Sequence, residues 1–179
     1  MLTIQDASLL IVDVQGKLAR LMHEKEALFE NLQKLIKGVQ VLNVPILWVE
    51  QNPAGLGPTI PEIAGLLADV TPISKMSFNS CRNAQFVVTL EALNRRQVLI
   101  AGIETHICVY QTAASLLDMG YEVQVVADAV SSRKPGNQTI GLERMRDAGA
   151  TLTSVETALF ELLEVAEGDA FKAILDIVK

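Results

Sequence analysis

The sequence contains few of the residues that usually mark metal sites, disulfide frameworks and aromatic cores. Only two cysteines and two histidines occur among 179 residues, and aromatic side chains make up 4%. Two cysteines cannot build a disulfide framework, so we expect free thiols and a reducing compartment. Because half of the residues are apolar and so few are aromatic, the core is expected to be aliphatic, which favours an α/β sheet protein.

The sequence also lacks a basic cluster, a basic N-terminal region and long apolar runs. Its net charge of −6 disfavours binding to nucleic acid or to an anionic membrane surface. No apolar run is long enough to span a bilayer, and the first residues do not resemble a signal peptide. We therefore expect a cytoplasmic protein with a small-molecule partner and with neither a nucleic-acid nor a membrane partner.

The apolar residues that are present alternate between two periodicities. Val/Ile/Leu-rich runs at 8–12, 44–49, 97–101 and 122–127 predict parallel strands buried on both faces. The stretches between and after these runs predict helices at 24–42, 83–94, 109–119 and 137–148. A short strand at 151–153 and two further helices at 156–165 and 168–178 complete the chain. This pattern predicts one domain over residues 1–179, a three-layer α/β/α fold with a mostly parallel, doubly wound, Rossmann-like sheet.

Three residues stand where chemistry is expected in such a fold, and each has a structural alternative. Asp13 directly follows the first apolar run, where it could be a catalytic carboxylate or a helix cap. Cys108 follows the third strand at the opening of a helix, where a lowered pKa would favour the thiolate; a small buried hydrophobe is equally compatible. Lys75 lies in a segment with no periodicity, and most such lysines are surface charges. Cys81 has no comparable placement and is interpreted as structural.

The order and spacing of these residues resemble those of the isochorismatase-like cysteine hydrolases. The matching features are Asp13-x-Gln15 after the first strand, Lys75 at the end of the middle loop, and Gly-x-x-Thr-x-x-Cys-Val ending at Cys108 and Val109. The resemblance covers essentially the whole chain. It implies that Cys108 is the nucleophile, that Asp13 acts first as a general base and then as an acid, and that Lys75 lies between them.

The same resemblance implies further features of the site and of the assembly. A cis peptide bond is expected at Ile103–Glu104, with the backbone amides of Glu104 and Cys108 forming an oxyanion hole. Members of the superfamily are commonly dimers, tetramers or larger rings, and the mean hydropathy of +0.31 is consistent with apolar surface buried in a homo-oligomer. The side chain of Glu104, and His106 beside the nucleophile, are possible contributors to the pocket.

The sequence departs from the nicotinamidase-like members, which carry an Asp-x-His metal-binding pair after the second strand. The corresponding stretch here is Trp48-Val49-Glu50-Gln51-Asn52-Pro53, and two histidines are too few for such a site. We therefore predict no metal and no other cofactor, as in a metal-independent subgroup known only as hydrolases. Trp48, Gln51 and Phe78 are the candidate substrate-lining residues.

Two classes of function remain compatible with the sequence. The leading hypothesis is a hydrolase that cleaves a C–N bond in a small amide, imide or carbamoyl compound through a thioester at Cys108. The alternative is a catalytically idle binding or assembly module, or a thiol redox sensor on the same fold.

Overall fold

The structure is a computed structural model that describes all 179 residues. Its strands and helices alternate along the chain, as the two periodicities predict. The elements are β1 (Ala7–Val12), α1 (Gly16–Ala19), α2 (Lys25–Val41), β2 (Ile46–Gln51), α3 (Pro53–Leu56), α4 (Pro61–Ala64), β3 (Ile73–Lys75), a 3-10 turn (Ser80–Arg82), α5 (Ala84–Ala92), β4 (Gln97–Ile103), a π-helical turn (Thr105–Val109), α6 (Tyr110–Asp118), β5 (Glu122–Ser131), α7 (Pro135–Asp147), β6 (Thr151–Thr153), α8 (Val155–Leu163) and α9 (Gly168–Val178).

The six strands form one sheet in the order β3-β2-β1-β4-β5-β6, and every neighbouring pair is parallel. The chain winds outward from β1 to β3 and then, starting again at β4, outward in the other direction to β6. The predicted doubly wound α/β fold is therefore confirmed. The order reverses between β1 and β4, and in open sheets of this kind ligands bind beyond the carboxyl ends of the strands at that point.

Helices cover both faces of the sheet. On one face α2, α8 and α9 pack with α4 over the larger of two apolar clusters, and on the other face α5, α6 and α7 cover the smaller cluster. The inner side of α2 shows the helical spacing that drives this packing, because Leu32, Leu35, Ile36 and Val39 are all fully buried. Each such side chain contributes roughly 1.5–3 kcal/mol through burial. None of the helices combines the length and the apolar character needed to cross a membrane.

β2, β4 and β5 extend beyond their predicted ends, and β3 was not predicted. β2 continues through Glu50 and Gln51, beyond the apolar run, because both residues pair with β3 at Ser74 and Lys75. β3 ends at Lys75, in the segment where the sequence shows no periodicity. It is only three residues long, which is too short to show a strand periodicity.

Gly102 allows β4 to lie close to β1 at the point where the strand order reverses. Its φ is +115°, and a Cβ atom there would lie 2.1 Å from the carbonyl oxygen of Val12. Any side chain would therefore separate the two strands whose ends carry Asp13 and the turn to Cys108.

Candidate active site

Asp13 occupies the first position after β1, at the carboxyl edge of the sheet. Its φ of +52° lies in the left-handed region, which Asp adopts more readily than most residues. The side chain is almost fully buried, and its Oδ2 accepts a hydrogen bond of 2.7 Å from Lys75 Nζ. The other oxygen, Oδ1, is buried without a well-formed hydrogen bond in the protein.

Lys75 is the last residue of β3 and is a buried partner of Asp13, so the alternative of a surface charge is wrong for it. The side chain has 0% exposure. Besides Asp13, its Nζ donates to Gln51 Oε1 at 3.0 Å and faces the carbonyl oxygens of Ser77 at 3.3 Å and Phe78 at 3.4 Å. An ammonium group has three protons, so these four acceptors engage all of them.

Cys108 lies within the π-helical turn that precedes α6, and its side chain is buried. Burial raises the pKa of the Cys108 thiol well above its ordinary value, and the Asp13 carboxylate raises it further, whereas Lys75 opposes both. The expectation that the helix start would lower this pKa is therefore wrong for the resting site. The first turn of α6 begins only at Tyr110, and a buried carboxylate lies beside the sulfur.

The pKa of Asp13 is raised by burial and lowered by Lys75 and, through a hydrogen-bonding interaction, by the Cys108 thiol. The Asp13 carboxylate thus raises the cost of ionising Cys108, whereas the neutral thiol favours the ionised form of Asp13. The arrangement holds a neutral thiol next to a carboxylate that can accept its proton. Such a pair is suited to proton transfer during nucleophilic attack.

Glu104 links the π-helical turn to the segment after β5. The Ile103–Glu104 peptide bond is cis, as the resemblance implied. The Glu104 carboxylate is buried, with Oε1 accepting a 2.7 Å hydrogen bond from Arg133 Nε. The backbone amide of Glu104 donates to no carbonyl of the protein, which leaves it available to an oxygen atom of a ligand.

The ring of His106 packs toward the segment after β5 and the start of α7. Its Nδ1 lies 3.0 Å from Ser132 Oγ and its Nε2 lies 3.2 Å from Asn137 Nδ2. The imidazole therefore fixes the π-helical turn against the start of α7 and does not line the cavity.

A small cavity of about 90 Å³ opens beside Cys108. Asp13, Gln51, Glu104 and Cys108 reach it, and the remaining wall is apolar: Leu18, Leu56, Phe78, Ile103 and Ile107. Lys75 is not in this wall, because it lies behind Asp13. Two of the three predicted lining residues, Gln51 and Phe78, are thus brought to the cavity.

Trp48 is the exception among the predicted lining residues, since it does not reach the cavity. Side chains alternate between the two faces of a strand, and Trp48 belongs to the large apolar cluster on the α2 side of the sheet. Its indole Nε1 donates a 2.8 Å hydrogen bond to Thr59 Oγ1. The residue therefore supports the loop after β2 from the core.

Gln15 connects the ends of β1 and β2, a role that sequence reasoning missed although the Asp-x-Gln pattern contains this residue. Its Oε1 accepts from the Gln51 amide at 2.6 Å, and its Nε2 donates to the carbonyl oxygens of Gln51 and Gly57. This fully buried amide holds Gln51 next to Lys75 and the loop that carries Leu56 over the cavity. Arg133 was also missed, because nothing in its local sequence connects it to Glu104.

No group of three or more His, Cys, Asp or Glu side chains is arranged as a metal site. Glu50 uses its Oε1 to accept from the amide of Thr59 at 2.7 Å and from its hydroxyl at 2.8 Å. This carboxylate therefore has a structural role in holding the loop.

Comparison with known proteins identifies the family. An isochorismatase domain model matches residues 7–157. The secreted isochorismatase effector Isc1 of Phytophthora sojae is 37% identical over 175 residues, which cover 96% of this chain and 83% of that protein. Among solved structures, the MAR1 ribonuclease of Caenorhabditis elegans aligns with a TM-score of 0.92 at 32% identity, covering 99% of this chain and 91% of that chain. The YcaC gene product of Escherichia coli, described as an octameric hydrolase of unknown specificity, aligns with a TM-score of 0.93 at 28% identity, covering 98% and 88%.

Proposed function

Since the chain belongs to the isochorismatase family, we propose that it is a cysteine-dependent hydrolase that cleaves a C–N bond in a small amide, imide or carbamoyl compound. The observation that carries this proposal is the direct contact between a buried carboxylate and a buried ammonium beside a thiol at one cavity. Asp13, Lys75 and Cys108 are its catalytic residues.

The reaction begins when Cys108 Sγ attacks the substrate carbonyl carbon and the thiol proton moves to Asp13. The carbonyl oxygen becomes an oxyanion, which the amides of Glu104 and Cys108 stabilise. When the intermediate collapses, the C–N bond breaks and Asp13 returns its proton to the leaving nitrogen. A thioester remains on Cys108, and the amine or ammonia departs.

Hydrolysis of the thioester reverses the roles. A water molecule transfers a proton to Asp13 as its oxygen attacks the thioester carbonyl, and the C–S bond then breaks as the proton returns to the sulfur. Lys75 takes part as a fixed charge, since its protons are all engaged by protein acceptors. Its charge stabilises whichever of Asp13 and Cys108 carries the negative charge at each stage.

The raised pKa of Cys108 argues against the redox-sensor alternative. Sensor cysteines are usually accessible and have lowered pKa values, whereas this thiol is buried and its pKa is raised. A catalytic thiol that loses its proton only during attack has no such requirement. Binding of nucleic acid is likewise disfavoured, because the chain has a net charge of −6 and the cavity wall contains no free cation.

The proposal extends to the state of the protein. Residues 1–179 form one hydrolase domain that uses neither metal nor organic cofactor, and it resides in the cytoplasm with both cysteines free. It assembles into a homo-oligomer, which the octameric state of the YcaC structure supports. Exposed apolar side chains such as Leu21, Met76 and Phe78 provide surface for such an assembly.

The test is a panel of small amides, imides and carbamoyl compounds assayed for release of ammonia or amine. Wild type is compared with Cys108→Ala and, as a matched control, Cys81→Ala, since burial also raises the pKa of Cys81 to about 11. Intact-protein mass spectrometry should detect an acyl adduct that is absent only from Cys108→Ala. Turnover that survives Cys108→Ala, or no turnover across the panel, would contradict the proposal.

A further inference from the structure

The cavity beside Cys108 limits the size of the group that can lie next to the sulfur. A volume of about 90 Å³ corresponds to about three water molecules at ~30 Å³ each, enough for an acyl group with a short carbon chain. Its apolar lining consists of Leu18, Leu56, Phe78, Ile103 and Ile107. Apolar walls of this kind offer no compensation for a buried charge.

No cation is available in this cavity to bind a substrate carboxylate. Lys75 is the one buried ammonium at the site, and its protons are directed to Asp13, Gln51 and two backbone carbonyls. A carboxylate could bind Lys75 only by displacing Asp13 or the other acceptors. The amide of Glu104 and that of Cys108 are neutral donors.

Glu104 also borders the cavity, and its buried carboxylate carries a negative charge. This side chain has 5% exposure, whereas its partner Arg133 has 55%, so the guanidinium is largely hydrated and the carboxylate is not. Arg133 binds Oε1, while Oε2 makes only longer contacts, at 3.4 Å to the Arg133 amide and 3.7 Å to His106 Nδ1. Water screens the exposed cation more effectively than the buried anion.

Resting on the proposed function, we propose that the acyl part of the substrate is small, uncharged and aliphatic, and that Glu104 is the specificity-determining residue that excludes acyl groups bearing a carboxylate. The exclusion works through like charge: a second carboxylate in the cavity would lie near the buried carboxylates of Glu104 and Asp13 and would find no free cation to balance it.

A matched pair of alkylating reagents tests the charge exclusion without knowledge of the substrate. Iodoacetamide and iodoacetate have nearly the same size and attach to sulfur with loss of iodide, but only iodoacetate is anionic. The ratio of their rates at Cys108, followed by peptide mass spectrometry and divided by the same ratio for glutathione, reports the electrostatics of the cavity. We expect the ratio of the iodoacetamide rate to the iodoacetate rate to be at least about tenfold higher for Cys108 of wild type than for glutathione. This factor is equivalent to ~1.4 kcal/mol.

Two variants should move this ratio in opposite directions. Glu104→Gln keeps an acceptor for Arg133 and should bring the ratio close to that of glutathione, whereas Arg133→Gln removes the compensating cation and should increase it. Glu156→Gln, a change at an exposed residue of α8, should leave it unchanged. A purely structural role for Glu104 would alter the rates of both reagents together. A wild-type ratio equal to that of glutathione, or one that Glu104→Gln does not change, would overturn the inference.

A series of amides separates this inference from the proposed function. Butyramide and isobutyramide should be hydrolysed with higher kcat/KM than succinamate, which carries a carboxylate, and than octanamide, which exceeds the cavity. Equal hydrolysis of butyramide and succinamate would refute the inference while supporting the hydrolase. Absence of all hydrolysis together with a strong preference for iodoacetamide would refute the hydrolase and leave the electrostatics of the cavity established.

Discussion

Replacing Lys75 by Met should destabilise the protein in a way that depends on pH. The change leaves the buried Asp13 without its 2.7 Å partner, and Oδ1 has no well-formed hydrogen bond to replace it. Burial, which already raises the pKa of Asp13, is then unopposed by Lys75. At neutral pH, breaking a buried ion pair in this way costs roughly 3–5 kcal/mol.

The pH dependence follows from where the proton is bound. Well below pH 3.8, the ordinary pKa of the carboxyl in the unfolded chain, Asp13 is protonated in both the folded variant and the unfolded chain, so the pH-dependent loss vanishes. Above that pH the unfolded chain releases the proton while the folded variant retains it, and stability falls by up to about 1.4 kcal/mol per pH unit. Between pH 5 and 7 the free energy of unfolding of Lys75→Met should therefore fall, relative to wild type, by up to about 3 kcal/mol.

Urea unfolding at pH 5, 6 and 7, followed by the fluorescence of the single tryptophan Trp48, measures this loss. The double variant Asp13→Asn/Lys75→Met lacks both charges and should lose the pH-dependent part. Lys172→Met, at a side chain with 76% exposure, should match wild type. A loss for Lys75→Met that does not change with pH, or a double variant that shows the same pH dependence, would refute the interpretation that Lys75 neutralises Asp13.

Three further predictions concern the same region. Burial raises the pKa of Asp13 above 3.8, and Asp13 must be ionised to act as a base. In a pH–rate profile kcat/KM should therefore rise with pH through a midpoint above 3.8. A midpoint at or below 3.8 would contradict the assignment of Asp13 as the base. Gly141→Ala would place a Cβ atom 2.9 Å from the backbone of His106. It should lower the free energy of unfolding in urea by about 1–3 kcal/mol and reduce turnover. The control Gly136→Ala, in the same helix but with open space around the added Cβ atom, should retain wild-type turnover. Gln15→Ala should lower the free energy of unfolding by about 1–3 kcal/mol for each buried group left unpaired. It should also slow the alkylation of Cys108, because Gln51 and Lys75 would be displaced. An unchanged melting temperature would show that Gln15 is dispensable.

The sequence by itself determined the long helices, five of the six strands and the edge of the sheet at which a site is expected. Apolar runs and helical spacing are local properties, so the alternation of strands and helices and the doubly wound sheet followed from them. Asp13 and Cys108 were identifiable because Asp13 directly follows one strand and Cys108 lies at the start of the helix after another, and strand ends converge in a parallel sheet.

Tertiary structure alone decided which side chains meet and how they titrate. Lys75 and Asp13 are 62 positions apart, and three residues of β3 are too few to reveal the strand that brings them together. The contact between Arg133 and Glu104 also joins residues that are distant along the chain. Trp48 and Gln51 lie on opposite faces of β2, so that Trp48 packs in the core and Gln51 lines the cavity. The direction of the pKa shift at Cys108 depends on burial and on Asp13 across the gap between two strands, because electrostatic interactions act through space and not along the chain.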